Sequence, residues 1–247
     1  MKIKSIIKYN INSLKNSIAI YYAIFITVCV ASVILSRTGN VSSSGIELSS
    51  VIFIFVAGLN LFKENFYFMK SNNVSRKDFI YGTALSMIPV AVGMSIIDII
   101  INRIYNIFMK CPTLYDMAYA NIGKGHFDNS VNWVQSNSIE TLLSSIAFQG
   151  ALCIFAISLG FLITIIYYRC NKLMKVVVSI LPVILFNLGG IVDVFYPDLT
   201  ANIYKFIAII FGINTGNVYA AILTFIVLFI IFIGLARFLT RKAIIKQ

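Results

Sequence analysis

Residues 63–79 of this chain read KENFYFMKSNNVSRKDF and separate two long apolar runs. Ser75 is placed as a helix N-cap, and Asp78 three residues later completes a capping box. Val74 and Phe79 flank the cap as a hydrophobic staple. The two asparagines just before Val74 tolerate the left-handed backbone that a reversal between helices requires. The stretch therefore predicts one helix that ends, a tight turn, and a second helix that begins at once.

The composition indicates that the surrounding apolar runs cross a membrane. Of 247 residues, 59% are hydrophobic and only 12% are charged, and the mean hydropathy is +0.89. A soluble domain is about 45–50% apolar and about 25% charged. A soluble core of this size could not bury so much apolar surface, so the chain is predicted to be an all-α integral membrane protein.

Six spans are predicted, because a spanning helix needs about 20 mainly apolar residues. They form a single transmembrane domain over residues 1–247, at about 18–36, 48–71, 76–108, 142–168, 176–192 and 218–238. A polar outer segment, 109–138, follows the third span. The apolar piece Ile203–Gly212 is too short to cross and is predicted to be a re-entrant or interfacial outer helix between spans five and six.

The N-terminal segment 2–16 has the pattern of a basic amphipathic helix. Its apolar residues recur on one helical face and its lysines on the other. Such a helix suits the headgroup region of an anionic leaflet, although the same lysines could simply anchor the first span. The apolar face consists of Ile3, Ile6, Ile7, Ile11 and Leu14.

The basic residues predict the orientation of the chain. Fifteen of the 20 lie before span one, between spans two and three, between spans four and five, or after span six. All four segments fall on the same side of the predicted membrane, which by the positive-inside rule is the cytoplasm. Both termini are therefore expected inside, in a multi-pass protein of the plasma membrane. The spread of these charges over four membrane-flanking segments argues against nucleic acid as a partner.

Enzymatic motifs are absent from the sequence. It contains no G-x-x-x-x-G-K-[ST], no H-E-x-x-H and no G-x-S-x-G pattern. The single histidine, His126, cannot build a metal site that needs several ligands. The four cysteines are scattered without zinc spacing. No catalytic residue and no metal site is predicted, and the chain is not expected to be an enzyme.

Few polar residues lie within the spans. Asp98 is expected near the outer boundary of span three, where it could pair with Arg103 or face water; an intramembrane acid is a functional candidate by default. Asn60, Gln149 and Asn187 are candidates for the transport pathway, although such residues also act as interhelical hydrogen-bonding groups. An interior so poor in charge favours an amphipathic or lipid-like substrate over a sugar or an ion.

The whole pattern resembles the membrane subunits, or permeases, of ABC-2-type transporters. The shared features are six spans with both ends inside, an N-terminal amphipathic helix, a charged helical hairpin between spans two and three, and a broken outer helix between spans five and six. The segment from Val74 to Gly82 is similar to the family's glycine-(I/V)-S-R-x-x-F segment at this place. Asn73 stands where the family usually has glycine.

The resemblance implies that the hairpin couples the permease to a separate cytoplasmic ABC ATPase, which binds ATP and magnesium while the permease itself holds no cofactor. Asn73 and Ser75 would shape the turn of this hairpin. The remaining implied coupling residues make either polar contacts (Lys70, Arg76, Lys77 and Asp78) or packing contacts (Phe66, Phe68 and Phe79).

Family permeases work in pairs, so a second copy or a sister permease is also an implied partner, together with the lipid bilayer. Short Gram-positive members resemble exporters of amphipathic peptides, such as the phenol-soluble modulin exporter. Others resemble immunity permeases that remove lantibiotics. The expected function is export of amphipathic or antimicrobial peptides. Lantibiotic immunity and an ATP-independent transporter or channel are the alternatives, and a scaffold without transport activity is a further one.

Overall fold

A computed structural model describes residues 2–37, 43–119 and 135–241, and within these ranges every regular element is an α-helix. Residues 120–134, which include His126, and the tail 242–247 lie outside the described residues. The helices are α1 (Lys2–Ser36), α2 (Leu48–Asn60), α3 (Lys63–Ser71), α4 (Arg76–Phe108), α5 (Leu114–Tyr119), α6 (Ile139–Arg169), α7 (Lys172–Phe195), α8 (Pro197–Ile210) and α9 (Val218–Thr240).

The chain is a multi-pass membrane protein by the length and apolar character of its helices. Among the described residues, five stretches are long and apolar enough to cross a bilayer: Ile3–Ser36, Leu48–Ser71, Arg76–Phe108, Ile139–Arg169 and Val218–Thr240. They correspond to five of the six predicted spans. The predicted span at 176–192 lies within α7, and its crossing of the membrane stays a prediction. Helix α8 begins at Pro197, earlier than the predicted outer helix Ile203–Gly212. Its re-entrant position also stays a prediction.

Two boundaries differ from those predicted. Helix α1 runs without a break for 35 residues, so the N-terminal amphipathic segment and the first span are one helix. The second predicted span is interrupted at Leu61 and Phe62, where α2 ends and α3 begins. Both of these side chains are buried, at 2% and 0% exposure. The interruption places Phe62 in the interior between α3, α4 and α6, which periodicity along one helix could not indicate.

Helix α6 is the centre of the bundle. It packs against α2, α4 and α9, and the short α5 lies beside it. Helix α1 reaches this core by packing along α4. Helices α7 and α8 pack against each other, and α8 also touches α9. The central bundle that positions the candidate site therefore consists of α1, α2, α4, α6 and α9.

The backbones of α2 and α6 approach each other closely at two glycines. A Cβ atom added to Gly58 would overlap the carbonyl oxygen of Ile157, and one added to Gly160 would overlap the carbonyl oxygen of Phe55. One turn after Gly160, the Thr164 hydroxyl donates to the Leu59 carbonyl at 2.6 Å. Small residues at facing positions are the usual means by which membrane helices pack. These two glycines fix the spacing of the α2–α6 pair.

The four basic segments lie at the same end of the bundle. Near this end, Tyr9 of α1 stacks on Phe68 of α3 with ring centroids 4.8 Å apart, and Arg76 contacts the Arg241 backbone after α9. The start of α1, the α3–α4 turn, the end of α6 and the end of α9 therefore meet at what we call the basic end. The predicted charge asymmetry is thus a property of the folded bundle as well as of the sequence.

The close approach at Gly160 leads to a stability prediction. We expect Gly160→Ala to lower the thermal unfolding midpoint, measured by scanning fluorimetry in detergent, because the methyl group must push α2 away from α6. Overpacking of this kind costs about 1–3 kcal/mol, against a helix-propensity gain of about 1 kcal/mol. Gly93→Ala is the matched control, since a Cβ there meets no atom within 4 Å. Equal midpoint shifts in the two variants would contradict the close approach.

Candidate functional site

The reversal between α3 and α4 has the geometry that its sequence predicts. Asn73 adopts a left-handed conformation with φ of 55°. The Val74 N–H donates to the Met69 carbonyl at 3.0 Å, and the Asn73 N–H donates to the Lys70 carbonyl at 3.1 Å. These two bonds form a Schellman motif, which closes a helix C-terminus. Asn73 supplies the left-handed residue that the reversal needs, so the predicted tight turn is confirmed.

The start of α4 is capped as predicted. The Ser75 hydroxyl oxygen accepts a hydrogen bond from the Asp78 N–H at 3.0 Å, and Ser75 itself has extended backbone angles. Both members of the predicted staple contribute to the same apolar core, with Phe79 fully buried and Val74 partly buried. Helix α4 therefore begins immediately after the turn, and few backbone bonds are left free to rotate. We call α3, this turn and the first turn of α4 the hairpin.

An aromatic cluster anchors the hairpin in the bundle. Phe66 of α3 and Phe79 of α4 lie 5.5 Å apart between ring centroids. Phe62 stacks on Phe66 at 5.0 Å and meets Tyr168 of α6 edge-on at 5.3 Å. Aromatic pairs at such distances each contribute about 0.5–1.5 kcal/mol beyond burial. The hairpin is therefore attached to α6 through packed rings.

This packing corrects the expected roles of two residues. Phe66 and Phe79 are 2% and 1% exposed, so their side chains lie in the chain's own core and cannot contact a partner while the core is intact. Sequence alone suggested partner contacts because both sit beside the charged turn. Of the three phenylalanines expected to make packing contacts with the partner, Phe68 is the one at the surface, at 48% exposure.

The charged hairpin residues fall into two groups. Lys70 and Lys77 are exposed, and Asp78 is half-buried. Arg76 is also half-buried, and its guanidinium donates to the Arg241 carbonyl at 2.9 Å. The guanidinium of Arg169 makes the equivalent bond to the Leu239 carbonyl at 3.1 Å.

The two arginines therefore cap the C-terminus of α9, where a helix leaves carbonyl groups unpaired and favours positive charge. Charge counting could not reveal this role, because the partners lie at the opposite end of the sequence. Arg76 thus has a structural function that Lys70 and Lys77 do not share.

A buried amide connects the hairpin with α1. The Asn10 side chain donates to the Thr83 and Ser86 hydroxyls of α4 at 3.3 and 3.1 Å. It accepts from the Asn65 amide of α3 at 3.4 Å. One turn away on α1, Ile6 is also buried, at 1% exposure. Part of the predicted membrane-facing side of segment 2–16 therefore packs against the protein. The sequence did not indicate this role of Asn10, apart from placing the residue among the apolar positions of segment 2–16.

Asp98 is the centre of a second polar cluster, about two thirds of the way along α4. Its Oδ1 accepts hydrogen bonds from the Tyr22 and Ser50 hydroxyls, both at 2.8 Å. Its Oδ2 accepts from the Gln149 amide at 3.1 Å. Asp98 is only 1% exposed. The expectation that it faces water or pairs with Arg103 is therefore corrected: four helices, α1, α2, α4 and α6, enclose it with three donors.

The four predicted intramembrane residues do not form one pathway. Asp98 and Gln149 are joined by a hydrogen bond. Asn60 is exposed and donates to the Val56 carbonyl of its own helix at 3.1 Å. Asn187 is exposed on α7. Of the four, the structure therefore brings together only Asp98 and Gln149. Tyr22 and Ser50 complete this cluster, and they were not predicted from the sequence because hydroxyl side chains are common in apolar helices.

Glu47, at the start of α2, lies beside the Asp98 cluster and was not singled out from the sequence. It is 1% exposed, and neither carboxylate oxygen has a hydrogen-bond partner among the described residues. Burial, with smaller contributions from the carboxyl groups of Asp98 and Asp116, raises the pKa of Glu47 to about 8.

Arg103 contributes the positive charge of this region. It interacts electrostatically with Asp116 and Glu47, and its guanidinium nitrogens are buried without a hydrogen-bond partner in the described part of the chain. No group of three or more His, Cys, Asp or Glu side chains within the described ranges could hold a metal ion. The cluster is suited to binding protons and to holding helices together.

Comparisons of the chain with protein-family models, with curated proteins and with solved structures found no match.

Glu47 leads to a prediction about pH. Its pKa in the folded protein, about 8, lies above the ordinary value of 4.5, so the folded state binds the proton more tightly than the unfolded state. The stability contributed by this proton is fully present below about pH 4.5 and is lost as the pH rises through about 8. We expect Glu47→Gln to be less sensitive than the unchanged protein to a rise from pH 6 to pH 9 in thermal unfolding.

Glu140→Gln is the control for this measurement, because Glu140 is an exposed acid at the start of α6. It should show the same pH dependence as the unchanged protein. If Glu47→Gln also keeps that dependence, the buried carboxyl is not its source.

Proposed function

We propose that this chain is the membrane-spanning permease subunit of an ATP-driven ABC exporter that moves amphipathic or antimicrobial peptides out of the cell or its membrane. The observation that carries the proposal is the hairpin. It is a rigid reversal that presents exposed basic side chains at the basic end and is fastened to the core of the bundle. An unstructured loop that merely satisfied the positive-inside rule would need neither the Schellman turn nor the aromatic anchor.

The contacts of the hairpin supply a route for mechanical coupling. Force applied at its tip reaches α6 through Phe62, Phe66 and Tyr168, reaches α1 through Asn10, and reaches α9 through Arg76. Packed interiors transmit displacement because they have low compressibility. A partner that moved the hairpin would therefore move three spanning helices together.

The partner in this proposal is a cytoplasmic ABC ATPase that binds ATP and magnesium. By the positive-inside rule, the basic end faces the cytoplasm. Both termini would then lie on the cytoplasmic side of the plasma membrane. A second permease copy, or a sister permease, completes the pathway. An immunity permease that removes lantibiotics has the same architecture and remains the alternative within this class.

A second candidate function, an ATP-independent transporter or channel, is favoured by the Asp98 cluster. A buried acid with three donors, next to the Glu47 carboxyl that has no hydrogen-bond partner among the described residues, is the kind of intramembrane site that binds protons. The hairpin has no evident task in such a protein, so we place this candidate second.

The variant that tests the first proposal is Lys70→Glu combined with Lys77→Glu. Both lysines are exposed on the hairpin, so reversing their charge should leave the fold intact while changing the charge that the hairpin presents to the ATPase. Arg76 is left unchanged because it caps α9. In proteoliposomes containing the permease and its ATPase, we expect peptide flux to fall at least about tenfold, which corresponds to about 1.4 kcal/mol of lost coupling.

The control for this experiment is Lys8→Glu combined with Lys15→Glu, two exposed lysines of α1 that carry the same charge change near the same end. It should retain flux. Unchanged flux in the hairpin double variant would overturn the coupling role. Flux in vesicles that contain no ATPase would support the second candidate function instead.

A further inference from the structure

An open groove of about 350 Å³ runs between α4 and α9, starting at the basic end. Apolar side chains form its walls, among them Leu85 and Ile88 from α4 and Phe229 and Ile230 from α9. Three of these side chains are well exposed: Leu85 at 45%, Ile88 at 38% and Ile230 at 62%. In a chain whose helices span a membrane, such a groove opens towards lipid.

Polar groups line the groove only at its basic end. The two lining residues with polar side-chain groups are Tyr81, which carries a hydroxyl, and Arg237, which carries a guanidinium. Neither group has a hydrogen-bond partner within residues 2–37, 43–119 and 135–241, whereas the nearby guanidinium of Arg76 is occupied by a backbone carbonyl after α9. Arg241 lies one helical turn beyond Arg237 and is exposed. The groove therefore pairs a long apolar slot with an unused positive group at its mouth.

The dimensions of the groove match one leaflet. Phe229 and Arg237 are eight residues apart on α9, which is about 12 Å along the helix axis. The hydrocarbon of a single leaflet is about 15 Å deep, half of the full core. An acyl chain that starts at the level of Arg237 would thus follow the groove over most of that depth.

We propose that this groove is a binding site for one anionic phospholipid, whose phosphate contacts Arg237 and Tyr81 and whose acyl chain lies between α4 and α9. The ligand of this site is a membrane lipid, so the site is separate from the transport substrate of the proposed function. The proposal requires only that the chain spans a membrane, and it stands or falls independently of the ATPase.

Gly234 allows the slot to be filled without disturbing the fold. It lines the groove, and an added Cβ there meets no atom within 4 Å. Gly234→Leu would therefore occupy the space of the acyl chain. Gly93→Leu is the matched control, because Gly93 has the same open space on α4 but does not line the groove. Arg237→Gln removes the positive mouth and leaves the slot open.

The measurement is native mass spectrometry of the full chain in detergent with equal amounts of phosphatidylglycerol and phosphatidylcholine that carry the same acyl chains. We expect one retained lipid, with phosphatidylglycerol preferred about fivefold, as one basic residue near an anionic surface provides. Gly234→Leu should lose the lipid, Arg237→Gln should keep a lipid but lose the preference, and Gly93→Leu should behave as the unchanged protein does.

Two results would overturn the site. If both lipids are retained equally, and if neither Gly234→Leu nor Arg237→Gln changes this retention, only non-specific bilayer lipid is bound. A fall in the dimer fraction with Gly234→Leu, together with unchanged lipid retention, would assign the groove to a second copy of the chain.

Discussion

A carboxylate enclosed by membrane helices must be given hydrogen-bond donors by the protein itself, and the central bundle depends on how Asp98 meets this requirement. Tyr22, Ser50 and Gln149 supply the donors from three different helices. Hydrogen bonds to charged groups contribute about 1.5–3 kcal/mol each, and loss of the donors would leave a buried charge unpaired. The cluster therefore fixes α1, α2 and α6 against α4, and the glycine contact of α2 with α6 fits within that frame.

The frame gives the two ends of the bundle different properties. Near Asp98, the buried carboxyl of Glu47 has no hydrogen-bond partner among the described residues, and its charge can change with pH. At the basic end, several polar side chains tie the helices together: Asn10 holds the hairpin to α1, and Arg76 and Arg169 cap α9. One end is thus built to be mechanically connected, as the proposed coupling to an ATPase requires. The other end contains the Asp98 cluster and the carboxyl of Glu47, whose protonation depends on pH.

Local sequence rules were sufficient for the hairpin and insufficient for its surroundings. The cap at Ser75 and the left-handed Asn73 depend on residues within six positions of each other, so they could be predicted. The burial of Phe66 and Phe79 depends on rings of α6 more than 80 residues away in sequence, so the partner contacts expected of these two residues were wrong. Asn10 and Glu47 escaped notice for the same reason, because their importance lies in neighbours that only the fold brings together. Long apolar spans were predictable because the bilayer itself imposes their length.

The central claim is that the hairpin touches a cytoplasmic ATPase, and site-specific photocrosslinking in intact cells tests it most directly. A photoreactive residue in place of Ser71, which is exposed at the end of α3, should crosslink to a protein that carries nucleotide-binding motifs. The same residue in place of Leu143, which is 62% exposed near the start of α6, should not crosslink to that protein. Crosslinks from Ser71 to lipid alone, or to the same proteins as from Leu143, would contradict the account.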